Sequence, residues 1–166
     1  MSFKDIDIKD ITESAPEMFG DGWALIGAGD EGNHNIMTVS WGMLGRLWNK
    51  DVATVFIRPQ RHTFDLVNSE DFFTINFFDE KYRGALNVCG EASGVDCDKF
   101  ELAKLTPYYV DGTTAVEQSK YFLVCKKIAK TEMKPEDFLD ESINKFYPDN
   151  DYHTVFVGEI IKVLKK

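Results

Sequence analysis

Runs of β-branched and aromatic residues, broken by turn-forming stretches, set the rhythm of this chain. Seven of them predict strands: WALIGAG (23–29), NIMTVSW (35–41), ATVFIR (53–58), FFTINFF (72–78), KLTPYYV (104–110), YFLVCKKIAK (121–130) and HTVFVGEIIKV (153–163). GDEGNHN joins the first two with hairpin-loop composition. Helical spacing predicts three short helices in the gaps. PQRHTFDLVN (59–68) carries Phe64 and Val67; EKYRGALNVCG (80–90) places Tyr82, Ala85, Leu86 and Cys89 on one face with Gly90 as its C-terminal cap; CDKFELA (97–103) is the third. The acidic stretch 133–151 reads as an excursion with little regular structure beyond a turn or two. Antiparallel strands with short intervening helices predict a mainly β fold, a β-barrel with helical additions. The helical patterns are too few and too short for a doubly wound parallel sheet.

Alternation within two strands is unusual. In 35–41 it puts Asn35, Met37, Val39 and Trp41 on one face and Ile36, Thr38 and Ser40 on the other, so neither face is purely apolar. In 72–78 it puts Phe73, Ile75 and Phe77 on one face, while Thr74 and Asn76 share the other with Phe72 and Phe78. Half-exposed strands account for this pattern, and so does the wall of a ligand site.

At 166 residues, with 43% hydrophobic content and 13 phenylalanines, the chain has material for a single domain with its own core. A net charge of −9 repels phosphate backbones and anionic membranes, so neither nucleic acid nor a membrane surface is an expected partner. No apolar run is long enough to span a bilayer. Three cysteines (Cys89, Cys97, Cys125) without CxxC spacing, and a charged N-terminus, fit a reducing cytoplasmic setting without zinc or a disulfide framework. GAGDEG (27–32) falls in the hairpin loop with no helix after it, so it is no dinucleotide fingerprint.

Candidate chemistry gathers around FIRPQRHTFDLV (56–67). Pro59 follows the strand, and Arg61, His62 and Thr63 occupy the first turn of the predicted helix. Cations oppose the helix dipole there, so Arg58 and Arg61 either pair with surface carboxylates or join Thr63 and backbone N–H groups around an anion such as phosphate. Lys99 follows a Gly- and Ser-rich loop, either as a solvated lysine or reaching inward over a ligand. His153 opens the last strand. No Ser–His–Asp pattern, paired carboxylates or metal cluster appears, so a catalytic role would require an organic cofactor.

These segments together resemble the flavin reductase-like family with its FMN-binding split barrel, and its flavoredoxin branch above all. The resemblance rests on five motifs in order: NIMTVSWG (35–42), IRPQRHTFDLV (57–67), FFTINFF (72–78), CGEASGVDCDKF (89–100) and HTVFVGEI (153–160). It implies a homodimer with FMN at or near the subunit interface. It places Asn35 and Trp41 along the isoalloxazine region, with contacts from Thr38 and Ser40, and with Met37 among the cofactor-binding residues. Thr63 with Arg58 or Arg61 would hold the phosphate, Asn76 would follow the strand edging the ring, Lys99 would be the loop lysine, and His153 would lie near the reactive face. The implied function is electron transfer from a nicotinamide (NADH or NADPH) or a protein donor through bound FMN to an acceptor. The alternative is a non-catalytic FMN carrier reduced by a redox protein partner. Many members carry Gly-Asp-His where this chain has Asp151-Tyr152-His153, a departure that bears on nicotinamide access more than on FMN.

Overall fold

The computed structural model describes residues 2–166. Among them run strands β1 (Lys4–Ile6), β2 (Ala24–Gly29), β3 (His34–Val39), β4 (Gly42–Leu47) and β5 (Lys50–Ile57), helix α1 (His62–Ser69), and strand β6 (Phe72–Phe77). Helices α2 (Arg83–Glu91) and α3 (Lys99–Ala103) follow, then strands β7 (Pro107–Val110), β8 (Thr113–Val116), β9 (Tyr121–Glu132) and β10 (Thr154–Lys165).

One antiparallel sheet holds eight strands in the order β3-β2-β6-β9-β10-β5-β4, with β1 paired to β10. Chain length forces that sheet to curl. β3 and β4 lie at opposite ends of the pairing order, yet only Ser40 and Trp41 separate them. The step from Val39 to Gly42 spans at most about 11 Å of extended chain, so the two edges must approach each other and the sheet becomes a barrel open along one seam. Curvature is built into β10, whose register against β9 slips after Val157 and again after Ile160. Gly158 sits at the first slip, where a Cβ would lie 2.7 Å from both Cys125 and the Phe73 ring.

The alternation expected of β3 and β6 is the one found. Met37, Val39, Phe73, Ile75 and Phe77 enter the barrel core, while Ile36 joins a second apolar cluster beneath α2. Thr74 turns outward to the β7–β8 hairpin, donating to the Thr114 carbonyl at 2.6 Å.

Three expectations need correction. Strands 4–6, 42–47 and 113–116 escape the pattern: β4 only half-buries Leu44 against the core and is held chiefly through its pairing with β5, and β8 is only four residues long. The turn between β4 and β5 is Trp48–Asn49, both at positive φ (51° and 59°), as a two-residue hairpin requires. The strand expected at 104–110 starts at Pro107, because Lys104 adopts the left-handed conformation that ends α3. Gly90 is inside α2, not its cap, and the helix closes through the Ala92 N–H on the Val88 carbonyl.

Candidate functional site

Two cavities lie along the outer edge of β3, and Met37 and Arg61 line both. The first, about 190 Å³, receives Thr38, Ser40 and Trp41 from the end of β3, Arg58 from the chain after β5, and His153 from the start of β10, with Phe56 beside them. The second, about 330 Å³, lies between the start of α1 and the loop after α2, and Thr63, Gly94 and Lys99 line it.

The second cavity has the chemistry of an anion site. α1 has no side-chain cap, and the N–H groups of His62 and Thr63 make no hydrogen bond among the described residues. Such N–H groups and the helix dipole attract negative charge. Thr63 is fully buried and its hydroxyl accepts from Asn35 Nδ2 at 2.9 Å, which leaves its own proton to give. Lys99 is only 4% exposed, yet its ammonium has one protein acceptor, the Cys89 carbonyl at 2.9 Å. An ammonium carries three protons, so a buried one with a single acceptor calls for a further partner. Burial lowers its pKa, and the Arg61 charge adds to that. An anion would reverse both effects. Arg61 has no ion pair or side-chain hydrogen bond among the described residues. The loop beside it approaches so closely that a Cβ on Gly94 would fall 2.4 Å from Asn35 Nδ2. Glu91 is the one carboxylate lining this cavity.

The first cavity is flatter and more aromatic. Trp41, 45% exposed, packs with its ring 5.4 Å from the His153 imidazole. His153 is buried, and desolvation, followed by the Arg58 charge, lowers its pKa to about 4. It is therefore neutral at neutral pH. Its Nδ1 lies 2.6 Å from the Tyr147 hydroxyl. The Thr38 hydroxyl donates to the Leu86 carbonyl, which ties β3 to α2 and commits that proton to the scaffold.

The structure thus brings Met37, Thr38, Ser40, Trp41, Arg58, Arg61, Thr63, Lys99 and His153 to one groove, with Asn35 supporting Thr63 from below. Two of the expected phosphate and ring contacts are corrected. Arg58 is occupied: its guanidinium pairs with Asp151 at 2.7 Å and donates to the Phe146 carbonyl at 2.8 Å, pinning the acidic segment down. Arg61 is thereby the arginine left for an anion. Asn76 does not reach the groove. It is fully buried, donates to the Leu25 carbonyl and Thr74, and accepts from the Val116 N–H and the Ser119 hydroxyl, so it clamps β2 and β6 to the end of β8.

Sequence reasoning missed Phe56, Gly94 and Tyr147. Gly94 lies in a loop whose composition suggested a ligand cover, but its contact with Asn35 is long-range. Tyr147 gave no signal, because the segment around it lacks periodicity. That segment holds the expected turn or two: short 3₁₀ turns at Pro135–Asp137 and Glu141–Phe146 fold it around the buried Tyr147. A third, apolar cavity of about 860 Å³ adjoins the groove, sharing Ser40, Trp41 and Phe56 with it and lined further by Phe19, Met43 and Phe138. No group of three or more His, Cys, Asp or Glu side chains able to hold a metal occurs among the described residues, and no helix among them is long and apolar enough to cross a membrane.

Similar folds occur in solved structures. Flavoredoxin from Methanosarcina acetivorans superposes with a TM-score of 0.70 at 22% identity, over 87% of this chain and 68% of its own. An FMN-binding protein from Thermus thermophilus gives 0.66 at 18% identity, over 92% and 76%. The NADH:FAD oxidoreductase of Streptomyces globisporus C-1027, solved with NAD and FAD fragments, gives 0.67 at 14% identity, over 87% and 74%. At these identities the likeness establishes the fold, an FMN-binding split barrel in its architecture. No curated protein matches the sequence. The family model for the flavin reductase like domain, however, matches residues 17–166, nearly the whole chain. The chain belongs to the flavin reductase-like domain family.

Proposed function

We propose that this protein is an FMN-dependent oxidoreductase, moving electrons from a nicotinamide or a protein donor through bound FMN to an acceptor. One observation carries the reading: a buried, under-partnered Lys99 beside an uncapped helix start and an unpaired Arg61, in a cavity that shares Met37 and Arg61 with an aromatic one. A ligand with an anionic tail and a planar, partly apolar head satisfies both ends, and FMN is such a ligand. When bound, FMN supplies the two-electron chemistry.

The chain's own residues bind and orient. Lys99, Arg61, the Thr63 hydroxyl and the His62 and Thr63 N–H groups hold the phosphate. Met37 and the end of β3 support the ring, Trp41 and Phe56 keep water from it, and His153 offers a neutral imidazole at its edge. We propose a homodimer as the working form. Trp41 and Met43 are exposed and line the third cavity, and Trp48 is exposed at the far end of β4, giving a second copy an apolar contact. Sedimentation velocity tests this, and a monomer at micromolar concentration contradicts it.

Titration with FMN and with riboflavin tests the ligand. Riboflavin lacks the phosphate, so charge-assisted bonds worth roughly 1.5–3 kcal/mol disappear and FMN binds about 10- to 100-fold more tightly. Lys99→Met narrows that gap by weakening FMN alone. Equal affinities for the two flavins in the parent protein would remove the phosphate site. The carrier reading draws on the net charge of −9, which suits a basic redox partner. It is favoured if NADH and NADPH leave the bound flavin oxidised while a partner protein reduces it.

A further inference from the structure

The residue behind His153 is Tyr147, which belongs to the acidic segment and has no part in holding the ligand as described above. Its hydroxyl lies 2.6 Å from His153 Nδ1. Its ring is fixed on three sides: Phe138 stacks at 5.7 Å with planes 17° apart, the Arg58 guanidinium lies 5.0 Å over it, and His153 meets it edge-on at 5.4 Å. Arg58 is anchored in turn by Asp151, which also accepts from Gln60 at 2.6 Å. Hydroxyl and imidazole therefore face each other across a braced contact.

The hydrogens in that contact can be placed. A neutral imidazole has one N–H and one bare nitrogen, and a phenol has one O–H. If Nδ1 carried the hydrogen, Tyr147 would have to spend its own on Met133 Sδ, 3.5 Å away, and a thioether is a weak acceptor. If Tyr147 donates instead, the short contact is an O–H···N bond to a good acceptor, and the imidazole hydrogen sits on Nε2. Nε2 has no partner among the described residues, and His153 lines the aromatic cavity.

We propose that Tyr147 is a positioning residue whose O–H fixes His153 as the Nε2–H tautomer, so that the site presents a neutral hydrogen-bond donor to the edge of the bound ring. The identity of that ring rests on the FMN reading; the tautomer does not. Neutrality matters here. Arg58 and Arg61 already bring positive charge to the cavity, and a neutral N–H adds direction without a third cation.

The test is a two-bond ¹H–¹⁵N correlation spectrum of the ¹⁵N-labelled full chain without ligand, near neutral pH. Only three histidines occur, and His153→Gln identifies the signals. The expected spectrum has Nδ1 of His153 at the shift of a bare nitrogen and Nε2 at that of a protonated one. Tyr147→Phe keeps the ring packing and removes the hydroxyl, and it should draw the two shifts toward a tautomer average. A parent spectrum with the hydrogen on Nδ1, or a Tyr147→Phe spectrum identical to the parent's, overturns the proposal. If Tyr147→Phe fails to fold, the parent spectrum still decides.

With ligand, Tyr147→Phe leaves Nε2–H as one of two tautomers, so its FMN dissociation constant should rise by the reciprocal of that tautomer's remaining share, about twofold. The mutant's FMN-to-riboflavin ratio, which reads the phosphate end, should stay at the parent value. An unchanged FMN dissociation constant overturns the ligand-facing part of the proposal. A parent protein that takes up no FMN sinks the flavin reading, while the spectrum still judges Tyr147.

Discussion

Burial strips water from both Lys99 and His153 and lowers the pKa of each by disfavouring its charged form. For Lys99 this burial makes sense with an anion beside it. For His153 it has a consequence for stability. The folded-state pKa, about 4, lies below the ordinary 6.5, so between those values the unfolded chain binds a proton that the folded chain refuses. Stability therefore falls as pH drops from 6.5 to about 4 and loses nothing further to this group below that. Denaturant unfolding across that range should show a shallower pH slope in His153→Gln than in the parent. Identical slopes would mean that His153 titrates normally in the folded protein. Single residues also mark where the sequence stopped being informative. Asn76 and Thr63 are both polar residues in apolar surroundings and look alike along the chain. One is saturated by Leu25, Thr74, Val116 and Ser119; the other keeps a proton free at the cavity. The difference lies in partners tens of residues away, which local pattern does not encode. Arg58 and Arg61 pose the same problem, and Asp151, 93 positions from Arg58, resolves it.

At the scale of elements, the site is a junction. With FMN bound as proposed, β3 would supply the ring-side edge, α1 the uncapped N-terminus, and the loop between α2 and α3 the cover. Their β-branched and aromatic residues made β3 and β6 legible, although both faces of each are largely buried and the alternation is mixed. β4 was not, because a strand whose one core contact is a half-buried Leu44 carries too little of that signature. The cover loop is tuned by one glycine. A methyl on Gly94 would meet the Asn35 amide, whose Nδ2 bonds Thr63. Gly94→Ala must therefore displace either the loop or the Asn35–Thr63 pair. The loop is exposed at Glu91, Ser93 and Val95, with Gly94 half-buried, and sits outside the main core, so thermal stability should change by less than about 1 kcal/mol. FMN affinity should fall by about tenfold or more, since cover and phosphate contacts both shift. Calorimetric titration beside a melting curve separates the two; unchanged FMN affinity would mean that the loop does not close over the ligand.

Across the whole molecule, the curled sheet explains why residues 37, 61, 99 and 153 meet at all. The two-residue link between β3 and β4 brings the sheet's edges together, and the start of β10 opens beside the end of β3 through Trp41 and His153. The acidic segment is strapped over that opening by Arg58 and Tyr147. A ring lodged there would have a braced donor on one side and an apolar cavity of about 860 Å³ on the other. The most direct measurement is the visible absorbance of the purified protein after incubation with FMN and removal of free ligand, followed anaerobically by NADH and then NADPH. The account predicts a two-banded flavin spectrum that stays with the protein and bleaches when nicotinamide is added. A colourless protein after the same treatment would contradict the flavin site itself, and a retained spectrum that neither nicotinamide bleaches would contradict its use as a nicotinamide-driven oxidoreductase.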